Sequence, residues 1–272
     1  MLNSKRYPAL PYVIWSIVFV LVPLILIVIF AFTTKNGGFS FDNINKIGKY
    51  SKIFVKTINL SLIATLICFL LGYPLAFIIS RAKEINQRNL LMLIMLPMWM
   101  NFLLRTYGWM TLLENEGILN KLFSNIGIGP FHMINTQGAV VLGMVYNYLP
   151  FMILPLYSIM VKIDKSVFEA AQDLGANWVD SLFKVLIPLS MPGIISGITM
   201  VFVPSISTFI ISKMLGGGSN MLIGDLIESQ FLGGTYNPYL GSAISLVLMI
   251  VMLIIMGIIN SLDDDEMEGM LV

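Results

Sequence analysis

Charge is what this chain has least of: 11% of its 272 residues are Asp, Glu, Lys or Arg, where a water-soluble domain carries about 25%. So little charge cannot solvate a globular surface, and the chain reads as a membrane protein. The net charge of +1 lacks the strong positive balance of a nucleic-acid binder, so no nucleic acid is expected among its partners. The single cysteine, Cys68, cannot close an internal disulfide and leaves the redox compartment undetermined. In its apolar run it reads as a small buried or lipid-facing residue. The single histidine, His132, has no Cys, His or carboxylate cluster at ligand spacing around it, so no metal site is expected. No G-x-x-x-x-G-K-[ST] stretch occurs, which excludes ATP binding through a phosphate loop in this chain. No convergent acid, nucleophile or metal constellation is present either, and no catalytic residue is assigned.

What the chain has instead is 57% apolar residues and a mean hydropathy of +0.86. A membrane-crossing helix needs about 20 mainly apolar residues. Six runs meet that length, at 12–32, 59–80, 90–113, 138–160, 188–212 and 240–260. The expected fold is all-α, a polytopic bundle of six transmembrane helices forming one membrane domain over 1–272, with no internal repeat and no soluble domain. Lys5 and Arg6 precede the first run, which is too long for a signal-peptide core and is followed by no cleavage pattern, so it is expected to be retained. Six spans place both termini on the same side as the polar turn between spans four and five. Lys and Arg divide almost evenly between the two faces, so their number does not orient the bundle.

Prolines fall inside the spans at Pro23, Pro74, Pro97, Pro150, Pro155 and Pro204. Each removes a backbone donor and tends to kink its helix. They read either as irregularity that neighbouring helices tolerate or as pivots for spans three to five. Glycines at 216–218 and 233–234 bracket a short helix over 220–231, which either lies on the membrane surface or folds back into the bundle. The acidic run 263–268 reads as a solvated tail.

The polar turn at 164–192 is the most structured of the connections. Ser166 and Glu169 have capping-box spacing, and Phe168, Ala171 and Leu174 recur at helical spacing. Gly175 stops that helix, since glycine enters the left-handed C-terminal turn without steric cost. Asn177 caps a second short helix with Asp180 at its third position, and Trp178, Leu182 and Val185 offer the apolar side. Pro188 and Pro192 close the unit. Small residues at Ala170, Ala171, Gly175 and Ala176 leave room for a close partner.

Glu169-Ala170-Ala171, Leu174-Gly175-Ala176, Phe183 and Ile187-Pro188 resemble the EAA loop of the membrane-spanning permease subunits of bacterial ABC importers. The stretches 96–108, 146–158 and 221–232 resemble the spermidine/putrescine branch of that family. The resemblance implies a type I importer permease fold with a cytoplasmic coupling loop at 161–187. In that loop Glu169, Ala170, Ala171, Asp173, Leu174, Gly175 and Ala176 would meet a separate ATPase. It further implies a non-catalytic subunit that binds no cofactor, with ATP and Mg on the partner ATPase. The implied partners are a second homologous permease, an ATPase homodimer, an extracytoplasmic polyamine-binding protein and membrane lipid. The implied location is the bacterial cytoplasmic membrane, multi-pass, with both termini cytoplasmic. Ferric iron and sulfate or molybdate remain alternative solutes within the importer class.

A polyamine asks for carboxylates to meet its ammonium groups and for aromatic faces along its methylene chain. Candidate acids are Glu114, Glu116, Asp225 and Glu228, the last two sharing a helix face at a spacing of three. Candidate rings are Trp99, Tyr107, Trp109, Tyr146 and Tyr148, although Trp and Tyr also gather at any membrane interface. Arg105 is the charge inside a span, and such charges are costly and informative. An arginine does not bind a cation, so its expected role is gating or structural. A self-sufficient secondary carrier is the alternative of a different class. It would show internal repeats and several ionisable residues at mid-membrane, and this chain offers Arg105 alone.

Overall fold

The computed structural model describes residues 10–34 and 37–269, without the side chains of Leu10, Lys165, Asn260 and 262–269. Lys5, Arg6 and Lys35 lie outside the described residues, as do the side chains of the acidic run 263–268. Helix dominates because lipid offers no partner to a free backbone N–H or C=O, and a helix satisfies both internally. Helix α1 (Pro11–Ala31) is apolar throughout and carries one π turn at Ile17–Leu21. A short helix α2 (Asp42–Ile47) passes through a 3₁₀ turn, Gly48–Tyr50, into α3 (Ser51–Arg81).

The span expected at 90–113 is built from two helices rather than one. Helix α4 (Glu84–Met95) tightens into a 3₁₀ turn, Leu96–Trp99, and α5 (Phe102–Leu113) starts afresh. The pair bends by 89° at the break. Pro97 sits at the start of the 3₁₀ turn, and the Asn101 side chain accepts the Leu103 amide at 2.8 Å, which caps the new helix. Helix α6 (Ile118–Asn125) follows, then α7 (Gln137–Met160), capped by Thr136 Oγ1 accepting the Ala139 amide at 3.1 Å.

The polar turn contains α8 (Lys165–Asp173) and α9 (Trp178–Ser181). A π turn at Leu182–Leu186 and a single turn at Ile187–Leu189 lead to α10 (Met191–Ser207). The fifth span thus bends by 70° at Ser190. It also stops earlier than the expected 212, because Thr208 is extended (ψ 140°) and α11 (Ile210–Leu215) is a separate helix. Helix α12 (Ile223–Phe231) begins three residues later than expected. Leu222 and Ile223 have no solvent exposure, so its start folds back into the protein. Helix α13 (Pro238–Gly269) closes the chain. Among the described residues, four helices are long and apolar enough to cross a membrane, and up to six crossings result if each bent pair counts as one.

Packing divides the chain into two units, Met1–Lys52 with Leu226–Leu253 and Ile53–Asp225 with Ile254–Val272. In the first, Phe32, Phe39 and Phe41 form a ring cluster with centroids 5.3 to 5.7 Å apart. There the Asn43 amide donates to the Thr33 carbonyl at 3.0 Å. In the second, α3, α7, α10 and α11 enclose the core. Lipid tails are as apolar as leucine, so helices in a bilayer hold together by close contact, which small residues permit. A Cβ at Gly143 would stand 2.5 Å from Leu215 Cδ1, and one at Gly197 would stand 2.7 Å from Met152 Sδ.

Candidate functional site

The exposed helix pair α8–α9 is shaped by three local devices. Asp164 is the N-cap of α8, its Oδ1 accepting the Ser166 amide at 3.0 Å. Ser166 is already the second helical residue, so the capping box expected from Ser166 and Glu169 does not form. At the other end the Ala176 amide donates to the Ala171 carbonyl at 3.0 Å and the Gly175 amide to the Gln172 carbonyl at 2.8 Å. With Gly175 at φ +86° this is a Schellman turn, which satisfies carbonyls that the helix end leaves open. Asn177 then starts α9, its Oδ1 accepting the Asp180 amide at 2.8 Å. Asn177→Ala should remove this cap and about 1 kcal/mol of local stability. The expected readout is roughly fivefold faster hydrogen exchange at the Asp180 amide. Lys184 lies 2.6 Å from Asp180 and, through that hydrogen bond and its charge, holds the Asp180 carboxyl below the usual carboxylate range. The pair is solvent-exposed and adds little to stability.

The corner has two faces. Ser181 and Leu186 are buried, and Phe168 is half-buried. Glu169, Ala170, Asp173, Leu174 and Gly175 are exposed, while Ala171 and Ala176 are half-buried. Leu174 is 90% exposed and therefore does not share the inward face of Phe168 as its spacing suggests. Trp178 and Phe183, each 63% exposed, also point outward. Leucine, tryptophan and phenylalanine beside two carboxylates make an apolar surface with a polar rim, which is the composition of a protein contact.

The candidate path residues separate into distinct places. Trp109 and Tyr146 meet edge to face at 5.3 Å and line an apolar groove of about 690 Å³ with Ile63, Ile67, Val141 and Leu149. Tyr148 is buried one helical step away and donates to the Pro204 carbonyl at 3.3 Å. Trp99 and Tyr107 are exposed, as are Glu114 and Glu116 at the end of α5. Arg105 is half-buried on α5, with its guanidinium 5.9 Å from the Phe102 ring centroid. Asp225 is buried, and its Oδ2 accepts the Leu222 amide at 2.8 Å, so it caps α12. Glu228 follows one turn later and is half-buried.

Some side chains matter here although sequence patterns give little sign of them. Lys56, a loop charge by sequence, donates to Asn220 Oδ1 at 2.8 Å. The Asn220 amide in turn donates to the Asn135 carbonyl at 2.8 Å and the Gly216 carbonyl at 2.9 Å. Thr57 Oγ1 accepts the Ile223 amide at 3.0 Å. Together these bonds hold the folded-back segment before α12. Arg81, at the end of α3, lies against Phe168. The one hint is an arginine at a helix end with a phenylalanine one turn before it. Among the described residues no three His, Cys or carboxylate side chains converge as a metal site would require. His132 pairs with Asn115 at 3.1 Å on the surface.

Comparison with known proteins adds a second line of observation. The family described as binding-protein-dependent transport system inner membrane component matches residues 2–265. The spermidine/putrescine transport system permease protein PotB of Haemophilus influenzae is 40% identical over 248 residues, 88% of this chain and 86% of that protein. PotB of Escherichia coli is 38% identical over 88% of this chain and 90% of its own length. A crystal structure of a bacterial ABC transporter that imports the acidic polysaccharide alginate superposes with a TM-score of 0.82, at 18% identity, over 96% of this chain and 94% of that one. A second alginate transporter structure, in complex with its pentasaccharide-bound periplasmic protein, gives 0.75 at 19% identity over 94% and 92%. At these identities the two structures speak for the fold.

Proposed function

The chain belongs to the binding-protein-dependent transport system inner membrane components, and from that premise we propose that it carries polyamines, spermidine and putrescine, inward as the permease of an ATP-driven importer. The observation that carries the reading is the 40% identity to a spermidine/putrescine permease over 88% of the chain. In this reading the whole of 1–272 is one permease domain and 161–187 is its cytoplasmic coupling loop. A second homologous permease completes the pore. An ATPase homodimer carrying ATP and Mg supplies the work, and an extracytoplasmic polyamine-binding protein delivers the solute. Both termini share the cytoplasmic side with the loop.

The physical steps follow from the site. Closure of the ATPase dimer pushes on the surface made by Glu169, Asp173, Leu174 and Gly175, and the rigid corner passes that displacement to the spans. A flexible linker would dissipate it. Where two access states differ in free energy by only about a few kcal/mol, a ligand or nucleotide that prefers one state shifts the population. On the solute side, ammonium groups are matched by Asp225 and Glu228, with Glu114 and Glu116 as further, exposed acids. The rings of Trp109 and Tyr146, which meet edge to face on the apolar groove, offer faces to methylene and cation alike, and Trp99, Tyr107 and Tyr148 are further rings at separate places. Arg105 repels a cation and so serves as a positioning or gating charge.

The complete assembly in proteoliposomes tests this. ATP-dependent accumulation of labelled spermidine and putrescine is expected, with no accumulation of sulfate or ferric citrate. Uptake of either of the latter in preference, or polyamine uptake by the isolated chain without an ATPase, would overturn the reading.

A further inference from the structure

The inner face of the coupling loop is clasped to one helix end. The Arg81 guanidinium carbon, at the last residue of α3, lies 4.7 Å from the Phe168 ring centroid and 5.5 Å from that of Phe77. The two rings are 6.1 Å apart, so the guanidinium has an aromatic face from each helix. Its Nη1 donates to the Ile163 carbonyl at 3.0 Å, just before α8. One side chain therefore holds both the start of the loop and its first helix against α3. The turn beyond Arg81 is fixed as well. Gln87 Nε2 donates to the Ser80 and Ala82 carbonyls at 3.1 and 2.9 Å, and Gln87 Oε1 accepts the Tyr157 hydroxyl at 2.9 Å.

The far arm of the loop returns to the same helix. The hydroxyls of Tyr73 and Ser190 are 3.0 Å apart and buried, and Ser190 is the point at which the fifth span bends by 70°. Pro74 follows Tyr73 inside α3 and has no amide to give the carbonyl four residues earlier, which weakens the helix at that point. Before the proline, α3 is packed tightly on α7, since a Cβ at Gly72 would lie 2.9 Å from Met152 Cγ. The segment 74–81 is thus bounded by a tight packing point and a weak helical link at one end and by the loop at the other.

We propose that Arg81 is the positioning residue through which the coupling loop drives the end of α3, with segment 74–81 as the lever and Tyr73–Pro74 as its pivot. The inference rests on the importer reading above. It assigns work to residues outside the surface that meets the ATPase. A guanidinium suits the task because its plane can stack on a ring while its edge donates to a carbonyl, which a lysine ammonium cannot do. Without the guanidinium stack only the tilted Phe77–Phe168 contact joins α8 to α3 at this point, so motion of α8 is transmitted less fully and less solute moves per ATP hydrolysed.

The test uses the complete assembly in proteoliposomes and reads spermidine taken up per ATP hydrolysed, together with the amount of ATPase recovered with the permease. Arg81→Leu, Arg81→Lys and Phe168→Leu should each lower the ratio about fivefold with recovery unchanged. Phe168→Trp, which keeps an aromatic face, should retain the wild-type ratio. The Arg81→Leu/Phe168→Leu double variant should be no worse than either single one, since both break one contact. Uptake and hydrolysis falling in parallel, multiplying losses in the double variant, or a Phe168→Trp ratio as low as that of Phe168→Leu would each overturn the proposal. Absence of ATP-driven spermidine uptake by the wild type would instead sink the polyamine reading, so the two failures are told apart.

Discussion

Gly175→Val should lower recovery of the partner ATPase with the permease by about ten- to thirtyfold while leaving the amount of chain in the membrane unchanged. Gly175 stands at φ +86°, and a side chain there costs roughly 1–2 kcal/mol through the clash of Cβ with the following carbonyl. A β-branched side chain lies at the upper end of that range. Beyond its chain neighbours no atom lies within 4 Å of the position a Cβ would take, so the penalty is confined to the local backbone and leaves the packing intact. The corner relieves it by abandoning the Schellman turn, and α8 and α9 lose the angle at which they present Glu169, Asp173 and Leu174. Gly175→Asn is the matched control, because asparagine tolerates the left-handed region, and it should retain most of the recovery. ATPase recovered with the valine variant at the wild-type level would remove the loop from the coupling mechanism.

The second large effect is expected from charge. Asp225→Asn combined with Glu228→Gln should raise the KM for spermidine at least about tenfold, since a hydrogen bond to a charged group contributes about 1.5–3 kcal/mol, while basal ATP hydrolysis changes little. Asn at 225 keeps an oxygen where Asp225 accepts the Leu222 amide, so the cap of α12 survives while the charge is lost. Asp225→Ala separates the two roles from the other direction, since it removes cap and charge together and should reduce the amount of folded protein as well. Equal loss of uptake and hydrolysis in the isosteric double variant would show that these acids act in folding and not on the path.

The two predictions depend on different kinds of information. The Gly175 corner is legible in residues 164–178 alone, because a glycine between an amphipathic segment and an Asn cap meets a local steric requirement that no distant residue can alter. The same holds for the membrane class and the six apolar segments, which follow from hydropathy summed over about 20 residues. Asp225 is different. Its spacing from Glu228 suggests a pair of acids on a helix face, and its bond to the Leu222 amide is a local cap, yet its burial depends on the chain folding back after α11. The capping of α8 by Asp164 turns on where α8 begins, a matter of one or two residues that pattern does not resolve.

Residue chemistry alone decided that this chain lives in a bilayer, how many times its apolar runs can cross it, and that a sharp corner stands between the fourth and fifth. Only packing in three dimensions decided that Lys56 and Asn220 lock a returning segment and that Arg81, beside Phe77 of its own helix, also reaches Phe168 of the loop. Hydropathy and backbone sterics are properties of a residue and its immediate neighbours. A hydrogen bond or a stacked guanidinium needs a partner, and Asn220 and Phe168 come from parts of the chain that only folding brings near Lys56 and Arg81.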